Sequence, residues 1–143
     1  MAATLVRVAE AVVSALNAAT LSQPLTAERQ YQPVFDLQEM KTLHVTVVPR
    51  GVEVAQAARG EARLECKVDV AVQKKLAAIG AAELDPLLEL VEEIAELFRA
   101  KRLAGCPEAV WVKTEHTPVY APEHLAELRQ FTSVMTLTFR VAR

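Results

Sequence analysis

The chain has 143 residues, of which 52% are apolar and 24% charged, the balance of one folded globular domain and too apolar for a disordered chain. Its 16 basic and 18 acidic side chains give a formal net charge of -2. Composition therefore provides no electrostatic basis for binding nucleic acid or an anionic membrane surface.

Residues 1–20 do not have the pattern of a targeting segment. Arg7, Glu10 and Asn17 interrupt their apolar positions, whereas a signal peptide or a membrane span needs an unbroken apolar stretch. The two cysteines, Cys66 and Cys106, lack the spacing of a zinc site. We therefore expect reduced thiols in a cytosolic protein, with a disulfide as the alternative, and no metal, cofactor or membrane contact.

The first element predicted along the chain is a helix. Apolar residues recur at three- and four-residue steps, which predicts an amphipathic helix over residues 4–19 capped by Thr4. Residues 26–35 then alternate loosely around Pro33, which cannot donate to a ladder, so they predict an edge strand or an irregular one.

A strand, an arm and a long strand are predicted next. Residues 43–48 alternate and stop at the Pro-Arg-Gly run at 49–51, and residues 51–60 predict a connecting arm or hairpin loop. From Ala62 to Val72 every even position is apolar, which predicts a long strand with one buried face. Most odd positions carry charges of changing sign: Glu61, Arg63, Glu65, Lys67 and Asp69.

The second half of the chain predicts one helix and two strands. Asp85 and Pro86 suit the start of a helix that runs to about Leu103. A strand is predicted over 109–116, and residues 131–142 alternate with the β-branched and aromatic content of another. The residues between them, 117–130, predict a polar loop with one helical turn at 123–128.

This element order predicts a single α+β domain over residues 1–143. In the order α-β-β-β-α-β-β the strands are too often consecutive for a doubly wound parallel sheet. We expect a mostly antiparallel sheet of four to five strands packed against two helices, with a long β-hairpin arm.

The sequence carries no catalytic signature. It contains no phosphate-loop, dinucleotide, nucleophile-elbow or zinc-protease motif. His116 and His124 lie beside Glu115 and Glu123 around the 117–130 loop, and such pairs can bind a metal or transfer protons near neutral pH. A solvated loop with incidental histidines is the simpler interpretation, and we expect no enzymatic activity.

Acidic and aromatic residues elsewhere have similarly plain interpretations. Trp111 and Tyr120 lack the surrounding basic residues that single-strand nucleic-acid binders use, so core or interface packing is expected. Four glutamates of the second helix share the face opposite its apolar stripe, where solvated charges belong rather than a metal site: Glu89, Glu92, Glu93 and Glu96.

The charged face of the long strand is the strongest functional pattern. Alternating signs can be plain solvation, but a strand of about eleven residues is twice the usual length, and an arm projecting beyond its own core needs a partner. Alternating charge also suits pairing between copies because it discourages wrong registers. The pattern therefore indicates oligomerisation.

Four stretches carry a resemblance to a known family: VTVVPRG at 45–51, DVAVQKKL at 69–76, LDPLLELVEEIAELFRAKRL at 84–103 and QFTSVMTLTFRVAR at 130–143. In these stretches, in size and in element order, the whole chain resembles the neck and tail-completion proteins of long-tailed bacteriophages. Within that group it is most similar to the tail terminators.

The resemblance implies a virion protein, assembled in the host cytoplasm, with helices on one side of a sheet and subunits in a hexameric ring. Such a ring caps the tail tube at its head-proximal end and offers a surface to the head connector, while DNA passes through the lumen without sequence-specific binding. Ring interfaces are heterologous, and we place the charged residues of the long strand there: Arg63, Glu65, Lys67 and Asp69. The arm and the 117–130 loop would contact tube or connector through Arg50, Glu53, Arg59, His116, Tyr120 and His124.

Three alternatives remain open at this point. The first is a head-closure or head–tail joining protein of the same neck. The second is a small dimeric regulatory module, and the third is a small hydrolase that uses His116 or His124 with a glutamate.

Overall fold

One mixed sheet and three helices make up the described part of the chain. The computed structural model describes residues 3–31, 42–77, 79–116 and 118–142. The sheet order is β1-β2-β3-β6-β5-β4, with β1 and β2 parallel and all other neighbours antiparallel. The elements in chain order are α1 (Thr4–Ala18), β1 (Ala27–Arg29), β2 (His44–Ala58), β3 (Glu61–Lys75), α2 (Ala81–Phe98), β4 (Arg102–Leu103), β5 (Cys106–Glu115), α3 (Pro122–Leu128) and β6 (Gln130–Ala142).

The predicted α+β class is confirmed, but the predicted element count is too low. The sequence predicts four to five strands and two helices, whereas the described residues form six strands and three helices. Helix α3 occupies the position of the helical turn predicted at 123–128. Strand β4 replaces the predicted end of α2, because Ala100 adopts a left-handed conformation (φ 57°) that stops the helix. Arg102 and Leu103 then pair with β5.

Helix α2 also begins earlier than predicted. It starts at Ala81, where the backbone N–H groups of Glu83 and Leu84 donate to the carbonyl of Gly80 at 3.2 and 3.0 Å. Alanine, glutamate and leucine favour a helix strongly enough to extend it ahead of Pro86, which consequently lies inside the helix rather than at its first position. No helix within the described ranges is long and apolar enough to cross a membrane.

The largest departure from the sequence prediction is in β2. The Pro-Arg-Gly run at 49–51 does not end this strand, which continues to Ala58. The register against β3 shifts between Pro49, which faces Val68, and Gly51, which faces Lys67. Arg50 is the extra residue of a β-bulge, and a bulge near a sheet edge is where a strand tolerates proline. The predicted arm at 51–60 is therefore the second half of β2 and the turn into β3.

Strand β1 agrees only partly with the prediction for residues 26–35. It spans Ala27–Arg29, and Gln30 donates its N–H to the carbonyl of Val47 at 3.0 Å. Residues 32–35 of that prediction, which include Pro33, lie outside the described residues.

The long hairpin is present, but most of it lies within the body of the sheet rather than projecting from it. β2 and β3 have 15 residues each and turn at Arg59 and Gly60, where Gly60 has φ 80°. Strand β6 pairs with β3 from Arg63 to Lys75, so only the hairpin end extends past β6. The expected projecting arm is correspondingly short.

The core lies between the sheet and the two long helices. The even positions of β3 from Leu64 to Val72 are buried, as their period of two predicts. They pack with the apolar stripes of α1 and α2. Phe98 of α2 meets Phe139 of β6 edge to face, with ring centroids 6.2 Å apart, an arrangement that adds to the burial of both rings.

This packing predicts a sharp contrast between two positions of β6. Phe139→Ala should lower the free energy of unfolding by about 3–5 kcal/mol, because it empties a fully buried site against Phe98. Val134→Ala, at a position 39% exposed on the opposite face, should cost about 0.5 kcal/mol or less. Urea denaturation measures both, and equal costs would contradict this assignment of the two faces.

Candidate assembly surface

The sheet presents a polar face on the side away from α1 and α2, which we term the open face. On β3 it consists of the odd positions from Arg63 to Gln73, whose partners on β6 are the even positions from Ala142 to Thr132. The structure places all four proposed interface residues of β3 on this face: Arg63, Glu65, Lys67 and Asp69. They are spaced along one strand and point away from the core.

Glu65 is the centre of one ion-pair cluster on the open face. Arg140, its cross-strand partner on β6, donates from Nη2 to Glu65 Oε1 at 2.9 Å, and Arg63 Nε lies 3.9 Å from the same oxygen. The Arg140 hydrogen bond is the main cause that lowers the pKa of Glu65. Part of the predicted interface charge is thus already engaged within the chain.

Asp69 is the centre of a second cluster, which depends on the bulge in β2. Arg50 donates from Nη1 to Thr136 Oγ1 at 3.0 Å, and that hydroxyl donates to Asp69 Oδ1 at 2.7 Å. Arg50 Nη1 is 3.6 Å from the same carboxylate oxygen. The extra residue in β2 therefore directs Arg50 over the sheet towards β6.

Lys67 lies between these two clusters and differs from its neighbours. Its cross-strand partners, Gly51 on β2 and Thr138 on β6, bring no charge opposite it. Among the residues that the structure describes, no carboxylate forms an ion pair with Lys67 within the 4.0 Å that defines the pairs above. Of the four proposed interface charges, Lys67 is therefore the one that can contact a partner without breaking any of the ion pairs described above.

The second half of β2 is the most exposed apolar part of the sheet. Val45 and Val47 are 2% and 0% exposed, whereas Val52 and Val54 are 41% and 65% exposed. All four belong to the same strand, but β1 pairs only with Val45 to Val47. Val52 and Val54 therefore continue the buried stripe into a region that the described residues do not cover.

A cavity of about 690 Å³ opens beside the bulge, between β2, the end of β5 and the start of α3. Its lining mixes one cation, one carboxylate and several small groups, and includes Arg50, Glu115, His116, Thr132, Val134 and Thr136. The guanidinium in it is already paired with Asp69, so the cavity lacks a free charge that would select a ligand.

The two loop histidines each contact a hydroxyl of β6. His116 Nε2 lies 2.6 Å from Ser133 Oγ, and His124 Nδ1 lies 2.9 Å from Thr132 Oγ1. A serine beside a histidine is the pattern of an activated nucleophile, but Ser133 is only 1% exposed and so out of reach of a substrate. Thr132 and Ser133 are consecutive strand residues, and their side chains point to opposite faces of the sheet.

The acidic and aromatic residues of the sequence prediction have structural roles. The glutamates of α2 form no group with the ligand count of a metal site within the described ranges, and Glu93 Oε1 accepts from the N–H of Ser22 at 2.8 Å. Trp111 is half-buried against the core and donates from Nε1 to Thr114 Oγ1 at 2.9 Å. Tyr120 is 36% exposed, with its ring centroid 6.5 Å from that of Phe131.

Both cysteines are free and buried. Cys66 lies on the buried face of β3 as its even position predicts, and Cys106 begins β5, which starts three residues before the strand predicted at 109–116. Burial raises the pKa of each thiol, which keeps it protonated and unreactive.

Sequence reasoning missed three residues of this surface. Arg140 neutralises Glu65, and Lys113 and Glu115 place a second charge pair on β5, with Lys113 Nζ 3.4 Å from Glu115 Oε1. The alternation of β6 around Arg140 was a usable signal for its open-face position. The positions of Lys113 and Glu115 depend on a register shift between Trp111 and Lys113, which leaves no mark in the sequence.

Comparison with known proteins finds a likeness in structure and none in sequence. No protein-family model matches the chain, and no curated protein matches it in sequence. Its structure is similar to that of the PVC sheath/tube terminator in the extended state, from an extracellular contractile injection system, with a TM-score of 0.48 and 13% identity. The match covers 100% of this chain and 58% of that one. Since one fold hosts many functions, this likeness assigns no function to the chain.

The environment of His116 predicts a pH dependence of stability. Burial is the main effect on this imidazole and lowers its pKa, with a smaller opposing effect from a backbone hydrogen bond at Val119. The unfolded chain, with an ordinary histidine pKa of about 6.5, therefore binds more protons than the folded chain just below that pH. It follows that stability falls as the pH drops below about 6.5.

Replacing this histidine should remove that part of the pH dependence. Between about pH 7.5 and about pH 5.5, wild-type protein should lose more free energy of unfolding than His116→Gln, whose amide can still hydrogen-bond to Ser133. Urea denaturation at both pH values measures the difference. An identical loss in the two proteins would show that His116 titrates as it does in the unfolded chain.

Proposed function

We propose that the chain is a structural subunit of a phage-type tail, which joins other copies in a ring that caps the tail tube. The ring is hexameric, stops growth of the tube at its head-proximal end and offers its other surface to the head connector. DNA passes through its lumen without sequence-specific contacts. This is the role implied by the resemblance to tail terminators in the stretches at 45–51, 69–76, 84–103 and 130–143.

One observation carries the assembly part of the proposal. A strand of 15 residues, β2, is covered on its outer side only at Val45 to Val47 by the described residues, and its valines beyond that point are exposed. An exposed strand edge is a template for pairing with another chain, and an exposed apolar surface marks an interaction site. The two long helices, α1 and α2, pack into one core on the same side of the sheet, in keeping with the proposal.

The chemistry of the remaining candidate sites supports a structural rather than a catalytic role. The serine next to His116 is buried, and the arginine of the adjoining cavity is paired with Asp69. Neither arrangement presents an exposed, activated nucleophile. The hydrolase alternative therefore has no observation in its favour among the described residues.

Three groups of residues contribute contacts to the ring and its neighbours. The open face of β3 contacts a neighbouring subunit through Lys67, with the clusters around Glu65 and Asp69 on either side of it. The exposed turn residue Arg59 and the exposed Tyr120 contact the tail tube or the connector, together with the half-exposed His116 and His124. These positions lie at the hairpin end and on the segment between β5 and β6.

Native mass spectrometry and electron microscopy test the proposal. Purified protein is examined alone and after mixing with tail tubes that lack their terminator. A sixfold mass, or a ring seen at one end of the tubes, is the expected result. A monomer that ignores tubes at every concentration would refute the ring, and a ring that binds isolated heads but not tubes would identify a head-closure protein instead.

The role of Lys67 can be tested by graded substitution. Lys67→Glu should weaken assembly by about tenfold or more, because it places a third carboxylate between Glu65 and Asp69 where a partner meets the sheet. Lys67→Gln, which only removes the charge, should have a smaller effect. Glu89→Lys, an exposed charge reversal on α2, is the control.

Assembly is measured by mass photometry and folding by thermal denaturation. The Lys67 variants should melt within a few degrees of wild-type protein because the side chain is partly exposed and forms no ion pair with a described residue. Unchanged assembly in Lys67→Glu, with unchanged folding, would remove the open face from the subunit interface.

A further inference from the structure

Within residues 3–31, 42–77, 79–116 and 118–142, the sheet has an unpaired stretch of strand on each of its two edges. On the outer side of β2, no described residue pairs with the strand from Val48 to Ala58. On the outer side of β5, the last bond to the β4 segment runs from the Trp111 N–H to the Lys101 carbonyl at 3.1 Å. From Val112 to Glu115 no described strand lies beside β5. Each edge therefore presents backbone donors and acceptors to a further strand.

The two edges run in opposite directions. β2 is antiparallel to β3, β3 to β6, and β6 to β5, so β5 runs opposite to β2. If β5 of one copy lies beside β2 of the next, the pair is antiparallel and the sheet continues without being turned over. The helices of both copies then stay on the same side of a shared sheet.

Charge selects one register for this pairing. In an antiparallel pair of strands, the residue numbers of any two facing residues add up to the same total. Placing Gly51 opposite Glu115 therefore places Glu53 opposite Lys113. Both Glu53 and Lys113 point to the open face, as their pairing with Glu65 and Thr138 shows. The bulged Arg50 then lies next to Glu115. Unlike charges meet at both positions.

Neighbouring registers lose this match. A shift by one residue points the two sets of side chains to opposite faces. A shift by two in one direction places Glu53 opposite Glu115, and like charges directly opposite each other destabilise a pair. A shift by two in the other direction places Glu53 opposite Trp111 and Gly51 opposite Lys113, so neither charge faces an opposite one.

The same register brings apolar groups together on the other face. Val52 comes opposite Thr114, whose pairing with Leu137 places it on the helix side, and Val54 comes level with Val112, the residue at the register shift in β5. Val52 and Val54 belong to the helix side of the sheet, since they pair with the buried Cys66 and Leu64. The pairing would cover the two valines that the chain leaves most exposed on this strand.

We propose that the outer edge of β2 in one copy pairs in antiparallel fashion with the outer edge of β5 in the next copy, with Glu53 opposite Lys113 and Val54 opposite Val112. This interface is heterologous, so repetition generates a ring or a filament rather than a closed dimer. It rests on the proposed function, to whose ring it adds an edge-to-edge contact beside the contact through the open face of β3. Arg50 and Glu53 accordingly contact the neighbouring subunit rather than the tail tube.

Cysteine crosslinking tests the contact directly. Within one chain, three strand spacings of about 4.8 Å separate β2 from β5, about 14 Å in all, whereas a disulfide needs Cα atoms less than about 7 Å apart. A disulfide between Val54→Cys and Val112→Cys can therefore join only two different copies. The native cysteines remain in place because both are buried.

The expected result is a ladder of covalent oligomers. Protein carrying both Val54→Cys and Val112→Cys is oxidised alone and on tail tubes, and it should give dimers and higher species on a non-reducing gel. Neither single variant should give such a ladder. The control pairs Val54→Cys with Val134→Cys, which is exposed on β6 away from either edge, and should give no ladder. Covalent dimers from Val54→Cys alone would indicate a symmetric β2–β2 contact and overturn the proposal.

A charge exchange provides an independent test that needs no oxidation. Glu53→Lys and Lys113→Glu should each reduce assembly at least about tenfold, and the double variant should recover to within about threefold of wild-type protein. Additive losses in the double variant would overturn the register.

The two tests separate this proposal from the proposed function. Oligomers of normal mass that give neither a ladder nor a charge rescue would retain the ring and reject the edge pairing. A protein that stays monomeric with and without tubes would reject both.

Discussion

The structure depends on β3, which is paired along nearly its whole length on both sides. Its 15 residues face β2 from Glu61 and β6 from Arg63, and the two ladders fix both its direction and its register. Because the side-chain period of a strand is two, this pairing also decides which residues are buried. A slip of one residue would bury Lys67 and Asp69 and expose Val68 and Val70. The strict alternation of charge with apolar groups therefore selects one sheet.

The helices cover the apolar face of this sheet unevenly, and the candidate surface follows from that. Buried side chains of α1 and α2 pack over β3, β6 and the first part of β2. Beyond the bulge at Arg50, β2 continues past the covered region, and the exposure of its inward valines rises from 0% at Val47 to 65% at Val54. The same apolar alternation that builds the core thus produces an exposed stripe where the helices end.

Sequence reasoning succeeded where periodicity alone decides the structure. The positions of α1, β3 and β6 follow from repeated apolar spacing, and the alternation of β3 placed its four charges on one face. It was wrong at positions where a single backbone conformation decides the outcome. The bulge at Arg50 lets β2 pass through a proline and a glycine, and the left-handed conformation of Ala100 converts the end of a predicted helix into β4. Neither conformation is required by the residue type that adopts it.

An open strand edge is hazardous unless its pairing is selective, and the edge of β2 has the features that make it so. Pro49 removes one backbone donor, and the bulge at Arg50 interrupts the regular ladder. The carboxylate of Glu53 disfavours pairing with any strand that has no positive charge opposite it. These features oppose indiscriminate pairing but fit an edge that carries Lys113 and Glu115 at the matching spacing. Selectivity of this kind needs two different edges, because β2 pairing with itself about Glu53 would bring two glutamates together. Two different edges in turn produce a head-to-tail contact, and a closed ring is the form in which such a contact leaves no edge unpaired.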